Sequence, residues 1–191
     1  MHPTRVLSLL GLSFALGCVP PAEPDPLGTF AVVSEMRSNT CGPQVTEVLS
    51  RATFDVALAL RNGSIFWMPR GASQATGTYN PGTGAFRFVD EQTVVLAQPD
   101  ARRGITGCAL IRADVIEGVV DWSSGDGGVD DVPTFGQDAS AAPRARGFRG
   151  TETVVWGVAP GSACGGVLGA QRGQFTALPC ELTYALTAEA R

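Results

Sequence analysis

The stretch TFDVALALRNGSIFWM, residues 53–68, constrains the fold of this chain more than any other. Before Asn62-Gly63, apolar residues alternate with polar or small ones, which is the period of a β-strand. Asn-Gly is the pair that best tolerates the positive φ angles of a type I′ turn. We therefore predict a two-residue β-hairpin. Its facing pairs are Leu58 with Trp67, Leu60 with Ile65, and Arg61 with Ser64.

The second face of this hairpin is apolar as well. A hairpin that is apolar on both faces is covered on both sides or leaves one side for a ligand, and we favour the covered arrangement. The second face carries Ala57, Ala59, Phe66 and Met68.

Alternation and turn residues mark further strands along the chain. No segment has the pattern of an amphipathic helix, although residues 44–50 could form one helical turn. About eight short strands in a meander indicate an all-β fold, and we predict a small up-and-down β-barrel, with a β-sandwich as the alternative. Besides the hairpin, strands are predicted at residues 28–36, 76–79, 86–88, 93–98, 107–122, 151–158 and 180–188.

In the strand at 107–122, one face carries Ile111, Ala113 and Val115, and the other carries Arg112 and Asp114. The alternation slips near Ile116-Glu117, and this slip predicts a β-bulge.

The first residues of the chain are typical of an exported protein. Arg5 supplies a positive charge, and residues 6–17 form an uncharged apolar run that is shorter than the roughly 20 residues of a membrane-spanning helix. A charged start, a short apolar run and small residues at its end predict a secretory signal peptide over residues 1–17.

The sequence Ala15-Leu16-Gly17-Cys18 resembles the lipobox of bacterial lipoproteins. The resemblance implies cleavage before Cys18 and attachment of acyl chains such as palmitate to this cysteine, so that the membrane is a partner through those chains. Several acyl chains anchor firmly, whereas one holds only marginally. The alternative is an ordinary secreted protein in which Cys18 forms a disulfide.

Four prolines make residues 18–27 a stiff, extended tether between the anchor and a single domain at 28–191. In lipoproteins an aspartate after the lipidated cysteine retains the protein at the inner membrane, and Val19 stands there instead. We therefore expect a lipid-anchored protein of the bacterial cell envelope, at the outer membrane rather than the inner one.

The other four cysteines predict two disulfides in an exported chain, with three connectivities open. Cys164–Cys180 would close a short loop before the last strand, and we favour it together with Cys41–Cys108.

The only histidine, His2, lies in the signal peptide, and the chain has no lysine. Ser-His-Asp catalysis, imidazole metal sites and Schiff-base chemistry are thereby excluded from the mature domain. A net charge of −4 disfavours nucleic-acid binding. We predict neither a cofactor nor enzymatic activity. Of the catalytic mechanisms considered, only catalysis by a pair of carboxylates is compatible with a domain that has no histidine or lysine. It would need two inward carboxylates in one cleft, about 5–10 Å apart.

A long loop at residues 121–149 is acidic at its start and basic at its end. Asp126, Asp130 and Asp131 are a weak candidate calcium site, because Ca²⁺ prefers several oxygen ligands. Their spacing does not match an EF-hand. We favour a solvated loop without a metal.

Aromatic residues are the candidates for lining a ligand cavity inside the barrel. The alternative is that they fill the interior, because an eight-stranded barrel is just wide enough to be filled by side chains. The sequence GTF at 28–30 is similar to the Gly-x-Trp that opens lipocalins, and TGTYNPGTGAF at 76–86 is similar to streptavidin-type strands, over these few residues only. The candidates are Phe66, Trp67, Tyr79, Phe86 and Phe88, together with Trp156.

We therefore expect a non-enzymatic envelope lipoprotein whose β-barrel binds a small apolar ligand or a protein partner. The alternative is a structural or assembly component of the envelope. A carboxylate-dependent hydrolase is a third possibility.

Overall fold

The computed structural model describes residues 25–45, 49–102, 104, 106–122, 145–168 and 174–191. Over these residues the chain forms eight β-strands and a single turn of 3-10 helix at Gly165–Val167. The strands are β1 Asp25–Asn39, β2 Arg51–Arg61, β3 Ser64–Pro69, β4 Ala75–Tyr79, β5 Ala85–Ala97, β6 Cys108–Trp122, β7 Ala145–Val158 and β8 Cys180–Ala190.

Each strand pairs antiparallel with the next one in the chain, and β1 also pairs antiparallel with β8. This last pairing closes the sheet into an eight-stranded barrel. Closure removes free sheet edges that would otherwise template aggregation. The predicted up-and-down β-barrel is confirmed, and the sandwich alternative is wrong.

The β2–β3 hairpin has the predicted register. Leu58 pairs with Trp67, and Leu60 pairs with Ile65. The turn residues Asn62 and Gly63 have φ angles of 52° and 76°, as a type I′ turn requires. On the second face, Phe66 is buried. The guanidinium carbon of Arg61 lies over the Phe66 ring, 5.2 Å from the ring centroid.

Three predicted boundaries are wrong. The segments at 86–88 and 93–98 form one strand, β5, because β6 pairs with it almost continuously. Strand β1 begins at Asp25, within the predicted tether, because Asp25 and Pro26 pair with β2. Strand β7 begins at Ala145, so residues 145–149 of the predicted loop belong to the sheet.

The predicted bulge near Ile116 is also wrong. The β6–β7 register is unbroken from Leu110 to Asp121. Side chains alternate along a strand, so the even-numbered residues of β6 share one face from Cys108 to Val120. That face is the inner one, since Leu110 and Val120 are buried. Arg112 therefore lies on the inner side of the barrel.

Two apolar clusters fill the ends of the interior. The first, the aromatic cluster, consists of Leu27, Phe30, Val32, Val56, Leu58, Leu60, Ile65, Trp67, Tyr79, Phe86, Phe88, Val120, Ala145, Phe148, Leu186 and Ala188. The second, the cystine cluster, consists of Cys41, Val45, Cys108, Leu110, Val154, Cys164, Phe175, Cys180 and Leu182.

The four cysteines of the cystine cluster form two disulfides, but not the pairs we favoured. Cys41 is bonded to Cys180, and Cys108 to Cys164, with Cα–Cα distances of 4.9 and 4.8 Å. Barrel closure explains the first pair, because Cys41 follows β1 and Cys180 begins its neighbour β8. The short loop between Cys164 and Cys180 is therefore not closed by a disulfide.

Several predicted features lie outside the described residues: the signal peptide at 1–17, the lipidation site Cys18, most of the tether, and residues 123–144 of the long loop. In the part of the chain that is described, no helix is long and apolar enough to cross a membrane.

Candidate functional site

A cavity of about 210 Å³ lies inside the barrel, where the two apolar clusters approach each other. Val154 and Leu182 of the cystine cluster form part of its wall, and Phe54, which packs against the aromatic cluster, forms another part. The complete lining is Ser34, Val45, Leu49, Ala52, Phe54, Arg112, Glu152, Val154, Trp156, Leu182 and Tyr184.

Arg112 supplies the positive charge of the cavity. Its Nε donates a hydrogen bond of 3.1 Å to Oδ1 of Asp114, and the two side chains are only 28% and 15% exposed. The guanidinium lies 5.7 Å from the ring centroid of Trp156, within cation–π range. Among the described residues, only Asp114 accepts a hydrogen bond from the Arg112 guanidinium, through Nε, and none accepts one from Nη1 or Nη2.

Glu152, on the neighbouring strand β7, supplies a negative charge. Among the described residues, no hydrogen bond or ion pair engages its carboxylate. Burial raises the pKa of Glu152 above its ordinary value of 4.5, the charge of Asp114 raises it further, and Arg112 opposes both effects. A raised pKa means that ionised Glu152 is poorly stabilised by its surroundings.

Two neutral hydroxyls share the cavity with these charges. Ser34 of β1 is buried, at 5% exposure. Burial raises the pKa of Tyr184 on β8 above 10.0, the charge of Glu152 adds to this shift, and Arg112 opposes it. The Tyr184 hydroxyl therefore stays protonated near neutral pH and can donate or accept a hydrogen bond.

Asp114 lies beside the cavity without lining it. Burial raises its pKa above 3.8, although the Arg112 charge and hydrogen bond lower it, and Asp90, which faces Asp114 across β5 and β6, raises it. Arg112 and Asp114 thus form a mutually compensated pair, whereas Glu152 is left as a second, uncompensated carboxylate.

Solvent reaches the cavity from the connection between β1 and β2. Leu49 in that connection lines the cavity and is 65% exposed. Phe54, Val154 and Leu182 form apolar parts of the wall. The site therefore combines a wet entrance, apolar walls and charges of both signs.

The predicted ligand-lining aromatics lie elsewhere, except Trp156. Trp67, Tyr79, Phe86 and Phe88 belong to the aromatic cluster, and Phe66 lies on the opposite face of β3 from Trp67. The ring centroids of Trp67 and Phe88 are 5.6 Å apart, as are those of Phe86 and Phe148. These rings pack against one another, and none of the five lines the cavity.

Sequence reasoning did not assign Arg112, Glu152 or Tyr184 to a functional site. We treated the apolar residues Ile111, Ala113 and Val115 as a separate face of β6, and the slip near Ile116 concealed the continuous alternation. The sequence does contain a signal for the inner face of β6. The even-numbered residues Cys108, Leu110, Ile116 and Val120 are apolar, and Arg112 and Asp114 lie on the same face because they are even-numbered too.

No group of three or more His, Cys, Asp or Glu side chains within the described ranges is arranged to hold a metal ion. The candidate calcium ligands Asp126, Asp130 and Asp131 lie outside those ranges.

Comparison of the chain with protein-family models, with curated proteins and with solved structures found no match.

Proposed function

We propose that this chain is an envelope lipoprotein whose barrel binds a small amphiphilic molecule without transforming it. The observation that carries the proposal is that Glu152 lines a solvent-accessible cavity without an ion-pair partner among the described residues, whereas Arg112, which also lines it, is paired with Asp114. A half-buried carboxylate loses part of its hydration, and a partner of opposite charge offsets that loss. A bound molecule would supply the missing partner of Glu152.

The size of the cavity restricts the ligand. At about 210 Å³ it is smaller than the roughly 300–1,000 Å³ of pockets for drug-sized molecules. A single ring or a short alkyl chain with one polar end fits this restriction. Apolar walls at Phe54, Val154 and Leu182 favour the apolar part, and the charged side favours the polar end. The ligand is thus amphiphilic rather than purely apolar.

The site is tested by native mass spectrometry of the full chain purified from the cells that make it. Ala52 lines the cavity, so Ala52→Phe fills it, whereas Thr53→Phe places the same bulk on the exposed outer face. We expect a non-covalent small molecule on the wild type and on Thr53→Phe, and none on Ala52→Phe. A ligand-free wild type that also binds no added small amphiphile would overturn the proposal.

The envelope location is supported by the lipobox-like Ala15-Leu16-Gly17-Cys18 and the proline-rich segment that follows it. We expect Cys18→Ser to leave the membrane fraction and to lose the mass of its acyl chains. Membrane retention of Cys18→Ser at the wild-type level would remove the lipoprotein assignment without affecting the proposed binding site.

A second candidate is a carboxylate-dependent hydrolase, and one observation favours it. Asp114 pairs with Val154 and Glu152 pairs with Ile116, so the two carboxylates are diagonal neighbours on adjoining strands. Diagonal residues are about 7–8 Å apart at the backbone, so their carboxyl groups can reach the separation of about 5–10 Å that glycosidase pairs use. This candidate predicts that the wild type turns over aryl glycosides and that Glu152→Gln does not. A wild type without turnover on such a panel would remove it.

A further inference from the structure

The charges in and beside the cavity have a negative excess, because Arg112 is one positive charge among the carboxylates Asp114, Glu152 and Asp90. Arg112 and Asp114 compensate each other across a hydrogen bond of 3.1 Å. Ionised Glu152 therefore has no counter-charge of its own within the described part of the chain. A ligand that brings one positive charge reduces this excess, whereas a ligand carboxylate would increase it.

The unused donors of Arg112 define a second requirement. Only Nε is engaged, by Asp114, and the N–H groups on Nη1 and Nη2 have no described acceptor. An uncharged oxygen can accept from them without changing the total charge. The walls at Phe54, Val154, Trp156 and Leu182 require an apolar body next to the charged end.

Resting on the function proposed above, we propose that the ligand is a small primary amine with an apolar body, whose ammonium group pairs with Glu152. A neutral carbonyl or hydroxyl oxygen close to the amine would accept from Arg112. The hydroxyls of Ser34 and Tyr184 are available as further acceptors for the ammonium protons.

Other ligand classes fit the site less well. A metal ion needs several ligands, and the described residues offer no cluster of three. A carboxylate would meet Arg112 but also the negative charge of Glu152. A purely apolar molecule would leave Glu152 without a partner in a less hydrated site, which is unfavourable.

The ammonium pairs only with ionised Glu152, so affinity for the amine depends on pH. The groups that act on Glu152 are Arg112 and Asp114 on β6 and Tyr184 on β8, while Asp90 on β5 acts through Asp114. Burial holds the pKa of Glu152 above 4.5 in the empty protein. Affinity for the amine therefore falls as the pH is lowered through this raised pKa.

Isothermal titration calorimetry of the full chain at pH 8 with three probes of similar size tests the ligand class: 2-phenylethylamine, 2-phenylethanol and 3-phenylpropionate. We expect the amine to bind at least tenfold more tightly than the alcohol, a difference of about 1.4 kcal/mol in binding free energy. The carboxylate should bind more weakly than the alcohol. Glu152→Gln should abolish the preference for the amine. Glu189→Gln changes an exposed glutamate on the neighbouring strand β8 and should preserve it.

The outcomes separate the two proposals. If the alcohol or the carboxylate binds as tightly as the amine, the ligand class is wrong and the binding cavity stands. If none of the three binds, both proposals are overturned. Titrations of the wild type with the amine and the alcohol from pH 8 to pH 5 need no variant, so misfolding of a variant cannot affect them. The amine should lose affinity as the pH falls, whereas the alcohol should not. Equal pH profiles for the two probes would contradict the pairing with Glu152.

Discussion

The Nε of Arg112 donates a 3.1 Å hydrogen bond to Oδ1 of Asp114, two residues further along the same strand. Residues i and i+2 share a face of a strand, so both side chains lie on the inner side of β6. The guanidinium also lies 5.7 Å from the Trp156 ring centroid on β7. The pair thus places a compensated charge between two apolar clusters and holds Arg112 toward the cavity.

Arg112→Met tests the contribution of this pair to stability. Methionine keeps the apolar stem but leaves Asp114, only 15% exposed, without its donor. We expect a loss of about 1–3 kcal/mol in the free energy of unfolding, because an unsatisfied buried acceptor keeps its desolvation cost. Urea unfolding at pH 7 measures it.

The matched control is the double variant Arg112→Met with Asp114→Asn, compared with each single variant. In the double variant, Asp114→Asn removes the charge that Arg112→Met leaves without a partner. It should recover part of the lost unfolding free energy, which corresponds to a coupling energy of at least about 0.5 kcal/mol. Additive effects would show that the hydrogen bond contributes nothing to stability.

Glu152 predicts a pH dependence of stability in the ligand-free protein. Because its pKa is raised in the folded state, the folded protein binds more protons than the unfolded one between pH 4.5 and the raised pKa. Stability therefore decreases as the pH rises through this interval and stays lower above it. Urea midpoints between pH 4.5 and pH 8 should show this decrease in the wild type and a smaller one in Glu152→Gln. Parallel profiles for the two proteins would contradict the raised pKa.

Phe148 is predicted to be the most costly aromatic residue to remove. It is fully buried, and its ring centroid lies 5.6 Å from those of Phe30, Trp67 and Phe86. We expect Phe148→Ala to lower the free energy of unfolding by about 3–5 kcal/mol, through lost burial and the cavity left behind. Val119→Ala, at a position that is 46% exposed, should change it by no more than about 0.5 kcal/mol.

The two disulfides predict a specific peptide map. Digestion without reduction should release fragments that link Cys41 with Cys180 and Cys108 with Cys164. Replacing either pair with alanine should cost about 2–5 kcal/mol. The Cys41–Cys180 pair should cost more, because it closes the longer loop, with a separation of 139 residues against 56. A fragment linking Cys164 with Cys180 would contradict the structure.

Much of the barrel was predictable from the sequence because its hairpins are local. Asn62-Gly63 fixes a turn type, the turn type fixes the register, and the register places Leu58 beside Trp67. The Cys41–Cys180 disulfide was not predictable in the same way. It depends on the pairing of β1 with β8, which joins the two ends of the chain and leaves no local signal near Cys41 or Cys180.

The candidate site was missed because it breaks the usual pattern of apolar residues inside and charged residues outside. On β6, Arg112 and Asp114 face inward, whereas Ile111, Ala113 and Val115 lie on the other face, where they are half-buried. The pairing of one charge with the next offsets the cost of burial, and pairing does not appear in a hydrophobicity pattern. Glu152 was missed for a related reason, since its nearest charges are on another strand.

The direction of β1 has a consequence for where the cavity lies relative to the proposed anchor. Asp25 begins β1 near the end sealed by the aromatic cluster, and Ser34 reaches the cavity nine residues later, about 30 Å further along at a rise of about 3.3 Å per residue. With the anchor that we propose at Cys18, the chain would be attached on the side of the aromatic cluster, and Leu49 at the cavity would lie on the side of the barrel further from the attachment point.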